Sequence, residues 1–192
     1  MRFLDGRTIE IDKIVNELDK FVLRFVDILE KHTKYVIVSG YVAILFGRSR
    51  ATEDIDIIVP PLSKDQFGKI FSELVESGYW FINSDDPAEL FDMLKTSNSI
   101  RTSKAKAVAP NIELKFAKDD IDRDSLNNSV TVIIGENKLL VSPIESQIAY
   151  KLYILTSDKD IEDANHLLEV FKDHLNKDKL EKYSAAFKRR FK

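Results

Sequence analysis

The chain has 192 residues, 44% hydrophobic and 32% charged, which is enough for one well-buried domain, or one domain and a small appended part. A formal net charge of −3 is too small and too mixed in sign for binding nucleic acid over the whole surface. With no cysteine, disulfides, zinc–thiolate sites and cysteine nucleophiles are excluded, so any metal must be held by oxygen or by the three histidines.

Met1 to Arg7 is charged and lacks the basic-then-apolar order of a secretion signal. No run approaches the length of a membrane span, so a cytoplasmic location with no membrane partner is expected. From about residue 8 to 32, Ile11, Ile14, Val15, Leu18, Val22, Phe25, Ile28 and Leu29 recur three and four apart, which predicts a long amphipathic helix. Tyr35 to Val38 reads as a buried strand that ends in a glycine turn, with a helix over Val42 to Phe46. Asp54 to Val59 alternates acid and aliphatic and then turns wholly apolar before Pro60 and Pro61 stop it, as a second strand does.

Ser63 is placed to cap a helix that Gly78 terminates, and Tyr79 to Ile82 predicts a short strand. A further helix is expected over Pro87 to Lys95, and strands near Ile100 and over Ile112 to Ala117. In the last of these Glu113 and Lys115 share one face and Ile112, Leu114 and Phe116 the other. Val130 to Ile134 and Lys138 to Val141 flank a short connection suited to a hairpin, and helices follow near 143–155, 159–173 and 177–190. The expected class is α/β, a small mixed sheet over residues 1–142 with a helical C-terminal region, 143–192, packing on it.

Asp54 and Asp56 carry the chemistry. Residues two apart on a strand point the same way, so both carboxylates can serve one hard cation such as Mg²⁺. Two acids in a strand committed to burial are costly unless a cation or hydrogen bonds compensate. An isolated Asp-x-Asp is more often a solvated strand start, and it is the preceding strand, glycine turn, helix and short loop with Arg50 and Thr52 that favour the metal.

The run from Val36 to Val59, with Ser39-Gly40 at its turn and Arg50, Thr52, Asp54 and Asp56 in order, resembles the signature of the polymerase-β-like nucleotidyltransferase superfamily. By pattern it is most similar to small prokaryotic members, including toxin-type nucleotidyltransferases. The resemblance implies transfer of a nucleoside monophosphate from a nucleoside triphosphate, ATP first among them, to the hydroxyl of an RNA, protein or small-molecule acceptor. It implies two Mg²⁺ ions, with Mn²⁺ as a substitute, on Asp54, Asp56 and a third acid from a neighbouring strand. Glu113 is the candidate for that acid, an ion pair with Lys115 being its plain alternative.

Ser39, Gly40 and Tyr41 would hold the triphosphate at the turn, assisted by Arg50, Thr52 and Lys151. Tyr41 stands where such enzymes usually have a small residue, and Glu113 where Asp is commoner. Arg50 is equally suited to a structural ion pair, and Lys151 to a solvated helix surface. Asp160 and Asp163 are read as structural before catalytic. Toxin-type members also imply a small antitoxin partner. The competing reading is a nucleotide-binding or protein-interaction module of the same fold with weak or no catalysis.

Overall fold

In the computed structural model, which describes residues 1–104 and 106–189, apolar alternation builds the centre of the molecule. Strand β4 (Asp54–Val59) buries Ile55, Ile57 and Val59 on one face, and β7 (Asn111–Phe116) buries Ile112, Leu114 and Phe116 beside them. The two run parallel with Asp54 opposite Asn111, Asp56 opposite Glu113 and Ile58 opposite Lys115. On its other side β4 pairs antiparallel with β3 (Val36–Val38), which places Val38 opposite Asp56.

The remaining strands are β1 (Arg2–Asp5), β2 (Thr8–Glu10), β5 (Tyr79–Phe81), β6 (Ile100–Lys104), β8 (Val130–Ile134) and β9 (Asn137–Val141). They complete a mixed sheet of nine strands in the order β1-β2-β8-β9-β3-β4-β7-β6-β5. The α/β class with a mixed sheet is as expected from the sequence. Helices α1 (Glu17–Leu29), α3 (Lys64–Glu76) and α4 (Pro87–Lys95) join the main core, each fitted to its start by a side-chain cap: Asn16 and Ser63 in capping boxes, and Asp86. Burial of this apolar face is the main stabilising term.

The other face of the centre is largely polar, with a small apolar patch of Val36, Ile58 and Ala117 beside α5 (Asp120–Asn127). After β9 the chain forms α6 (Ile144–Tyr150), a π-helical turn (Lys151–Leu155), α7 (Asp158–Phe171) and α8 (Lys177–Arg189). Among the described residues no helix is long and apolar enough to cross a membrane.

The N-terminal strands and α5 depart from the sequence expectation, β1 lying where no element was expected. Residues 8–10 form a strand rather than the start of the long helix, because β2 pairs with β8, and Ile9 and Ile11 are buried there. Ile14, assigned to the helical stripe, is 93% exposed in the segment between β2 and α1. Helix α5, capped by Asp119, was not expected, since it carries too few apolar residues for a helical stripe. The last helix, expected to residue 190, is described to Arg189, and the end of the basic stretch Lys188 to Lys192 lies outside the described residues.

Candidate active site

Strand β3 is followed by Ser39, whose backbone has φ 65° and ψ −137°, a region that side chains avoid and glycine tolerates. Its amide donates to Oε1 of Gln147 on α6 at 3.1 Å, and Gln147 in turn donates through Nε2 to the Ser142 hydroxyl. Helix α2 (Gly40–Leu45) follows immediately. A Cβ on Gly40 would clash with Nη2 of Arg50 and lie 3.3 Å from its Cζ, so the glycine leaves room for a guanidinium laid across it.

Arg50 is held there by Asp163. Its Nε and Nη2 donate to the two carboxylate oxygens at 2.9 and 2.8 Å, a bidentate pair. Lys151 donates to the same Asp163 at 2.9 Å and to Asp160 at 3.3 Å, and Lys151 and Asp163 are fully buried. Burial opposes the Asp163 charge, but the hydrogen bonds from Arg50 and Lys151 outweigh it and hold its carboxyl below the ordinary value. Arg48 adds a pair with Glu162, and its buried Nε lies 3.7 Å from Asp163 as an ion pair, without a hydrogen bond among the described residues.

Asp54 is exposed at the start of β4 and accepts from Asn111 Nδ2 at 2.7 Å. Asp56 is half-buried and accepts from Lys115 Nζ at 3.1 Å. Glu113, beside Asp56 in register, accepts from Nε and Nη2 of Arg101 at 3.3 Å. Thr52 donates to the Asp54 carbonyl at 3.0 Å, closing the loop that precedes the acidic strand. Next to this face opens a cavity of about 370 Å³ whose walls include Ser39, Asp56, Lys115, Lys118, Gln147 and Tyr150. Burial disfavours the Lys115 charge, but Asp56 attracts it strongly enough to raise its pKa above the ordinary lysine value. Burial, offset in part by Lys115 and reinforced by Asp56, raises the Tyr150 hydroxyl.

Of the residues singled out in the sequence, the structure brings Ser39 and Asp56 to the cavity, and Asp54 and Glu113 to the same sheet face. Two go elsewhere. Tyr41 is fully buried, and its hydroxyl donates to the buried Asp19 at 2.7 Å, so its ring faces the core and not a phosphate at the turn. Lys151 does not project toward a nucleotide, because the π-helical turn carries it into the ion network on α7. Arg50 takes its structural alternative. Lys115 pairs with Asp56 and not with Glu113; alternation placed it on the right face, but only the register of β7 against β4 and β6 sorts the partners. Gln147 and Tyr150 were missed, the first having no signal beyond its place after Pro143.

Asp54 and Asp56 present the oxygen donors a hard divalent ion takes. Among the described residues, no group of three or more His, Asp or Glu side chains is clustered to hold a metal. Asp54 and Asp56 are the two neighbouring carboxylates that such an ion could use, Glu113 being hydrogen-bonded to Arg101. The three histidines serve elsewhere: His32 pairs with Glu73, His166 with the Phe46 carbonyl, and His174 stacks on Phe3.

The chain's sequence matches no family model and no curated protein. Its structure does find relatives. It superposes on the antibiotic-resistance factor ANT(2'')-Ia in solution with a TM-score of 0.58 at 14% identity, over 93% of this chain and 95% of that one. A crystal structure of ANT(2'')-Ia in complex with adenylyl-2''-tobramycin gives 0.56 at 16% identity, over 91% and 97%. An antigenic nucleotidyltransferase-like protein from Paracoccidioides brasiliensis gives 0.51 at 13% identity, over 89% and 86%. The fold is that of the nucleotidyltransferases. At these identities the likeness is one of architecture, and it extends over the C-terminal helices as well as the sheet.

Proposed function

We propose that the chain is a metal-dependent nucleotidyltransferase that moves a nucleoside monophosphate from a nucleoside triphosphate, ATP first, to an acceptor hydroxyl. The observation that carries this is the acidic strand itself. On a nucleotidyltransferase fold, β4 sets Asp54 and Asp56 on one face, with Asp56 in the wall of a cavity that also holds Ser39.

Asp54 and Asp56 would hold Mg²⁺ or Mn²⁺, which when bound neutralises phosphate charge and lowers the pKa of a coordinated hydroxyl. Ser39 and Lys118 line the space for the polyphosphate, Lys118 contributing charge. Gly40 and Arg50 act behind the turn, the guanidinium fixing the loop that delivers Thr52 and the acids. Glu113, next to Asp56, assists on the acceptor side if Arg101 releases it. In the reaction the acceptor hydroxyl gives up its proton to solvent, its oxygen bonds to the α-phosphorus, the bond from that phosphorus to the bridging oxygen breaks, and pyrophosphate leaves with that bond's electron pair. Residues 143–192 form the opposite wall through Gln147 and Tyr150.

The test is transfer of label from each α-labelled nucleoside triphosphate, with Mg²⁺, to RNA, protein and aminoglycoside acceptors. The aminoglycoside is included because ANT(2'')-Ia is seen with adenylyl-2''-tobramycin. The first two are the acceptors of a toxin-type enzyme, which would also be silenced by a small antitoxin partner. Asp56→Asn should abolish labelling. The partners already held by Asp54, Asp56 and Glu113 favour a second reading, a nucleotide-binding module with little turnover. Triphosphate binding without labelling, unchanged in Asp56→Asn, would establish that one.

A further inference from the structure

The acidic face carries its own cations. Glu113 is matched by Arg101, and Asp56 by Lys115, so among the described residues Asp54 is the one of the three carboxylates without a cationic partner, being met by the neutral amide of Asn111. Lys115 differs from Arg101 in its position. Its side chain is 26% exposed against 50% for Arg101, and it stands in the cavity wall with Asp56 and Ser39. From a position opposite Ile58 it reaches diagonally across the strands to Oδ1 of Asp56.

An ammonium hydrogen-bonded to a carboxylate and a divalent ion bound to the same carboxylate draw on the same oxygens and repel each other. Formal charge makes the limit plain. Asp54, Asp56 and Lys115 sum to −1; one divalent ion takes the set to +1, and a second would take it to +3 before any phosphate arrives. The third acid that would hold a second ion is tied to Arg101.

Given the function proposed above, we propose that Lys115 is the resident second cation of this site. Asp54 and Asp56 bind one divalent ion, and the Lys115 ammonium takes the place of a second ion facing the triphosphate. Lys115 is then a group that touches substrate, and the site trades metal affinity for a permanent charge.

The test uses the full chain and two equilibrium measurements that need no turnover. Mn²⁺ is titrated without nucleotide, free Mn²⁺ being read by its electron paramagnetic resonance signal. A non-hydrolysable α,β-methylene ATP is titrated separately. The unmodified chain should bind one Mn²⁺. Lys115→Met should bind Mn²⁺ about tenfold more tightly, the repulsion of charges roughly 5 Å apart at water-like screening, and the ATP analogue about tenfold more weakly. Lys115→Gln, which keeps a polar side chain without the charge, should behave alike and serves if the Met variant fails to fold.

A merely structural lysine would not move the two affinities in opposite directions. Two Mn²⁺ ions on the unmodified chain, or Mn²⁺ affinity unchanged by both substitutions, overturns the proposal and leaves the metal-dependent function standing. If Mn²⁺ fails to bind at all, or binds Asp56→Asn equally well, the function itself falls and this inference with it.

Discussion

Replacing Asp163 by Asn should be among the most destabilising single changes of a polar residue in this molecule. Asp163 is fully buried and accepts two hydrogen bonds from Arg50 and one from the equally buried Lys151. The substitution removes the charge and leaves Arg50 and Lys151 short of a partner, and Arg48 without the more distant of its two ion pairs. Breaking a buried pair from one side costs about 3–5 kcal/mol. The lower end applies, because Lys151 keeps Asp160 at 3.3 Å and the Arg50 side chain, 18% exposed, can reach water. A loss of about 3 kcal/mol corresponds to a melting temperature lower by roughly 6–12 °C for a domain of this size. The pH dependence adds a signature. A carboxyl held below its ordinary 3.8 stabilises the fold above that value and loses its contribution as pH falls through the lower folded value. The gap between parent and Asp163→Asn in thermal or urea melts should thus be full at neutral pH and close in acid below about pH 4. Glu162→Gln, on the exposed side of the same network, should change stability by less than about 1 kcal/mol. Melting within about 1 °C of the parent, a shift too small for any buried-pair loss, would refute the claim that this network anchors the loop.

Two other substitutions separate the turn's neighbours. Gly40→Ala should destabilise by about 1–3 kcal/mol, since the new methyl displaces the Arg50 guanidinium; in an Arg50→Ala background most of that cost should vanish, as a double-mutant cycle of melts would show. Tyr41→Phe should cost about 1–2 kcal/mol in urea unfolding, by leaving buried Asp19 short of a donor. It should leave the KM for the triphosphate unchanged, and a rise in that KM would return Tyr41 to the nucleotide.

How far the site could be read from the sequence follows from the range of each signal. The period of two in Asp54-Ile55-Asp56 and in Ile112 to Phe116 is local and strong, and it placed the acids, Glu113 and Lys115 on their faces. Which lysine meets which acid depends on register between strands more than fifty residues apart, and no local window contains that. The N-terminal strands hid for the same reason. Ile11, Ile14, Val15 and Leu18 fit a helical stripe, but pairing of residues 8–10 with 131–133 outweighs the local propensity. The capping box at Asn16 and Asp19 is the local signal that fixes the true helix start. Lys151 misled differently. Lysine on an amphipathic helix is ordinarily solvated, and only the acids of α7, folded back against it, make its burial tolerable.

The glycine turn is held from three directions, and that bears on what it does. Ser39 is tied to Gln147 on α6, Gly40 lies under an arginine anchored on α7, and Tyr41 is fixed to Asp19 on α1. A non-glycine residue at φ 65° and ψ −137° costs about 1–3 kcal/mol and persists only where its surroundings over-determine it. Here the surroundings include the helices after residue 143. The turn is therefore shaped before any ligand arrives, and part of its shape comes from the C-terminal region. Gln147 has a double position in this scheme, because its amide oxygen occupies the Ser39 N–H and its side chain lines the cavity. A phosphate oxygen seeking that same N–H has to displace it. Under the function proposed above, that exchange would be felt first at α6, the helix that carries Gln147 and shares its side chain between the Ser39 N–H and the Ser142 hydroxyl.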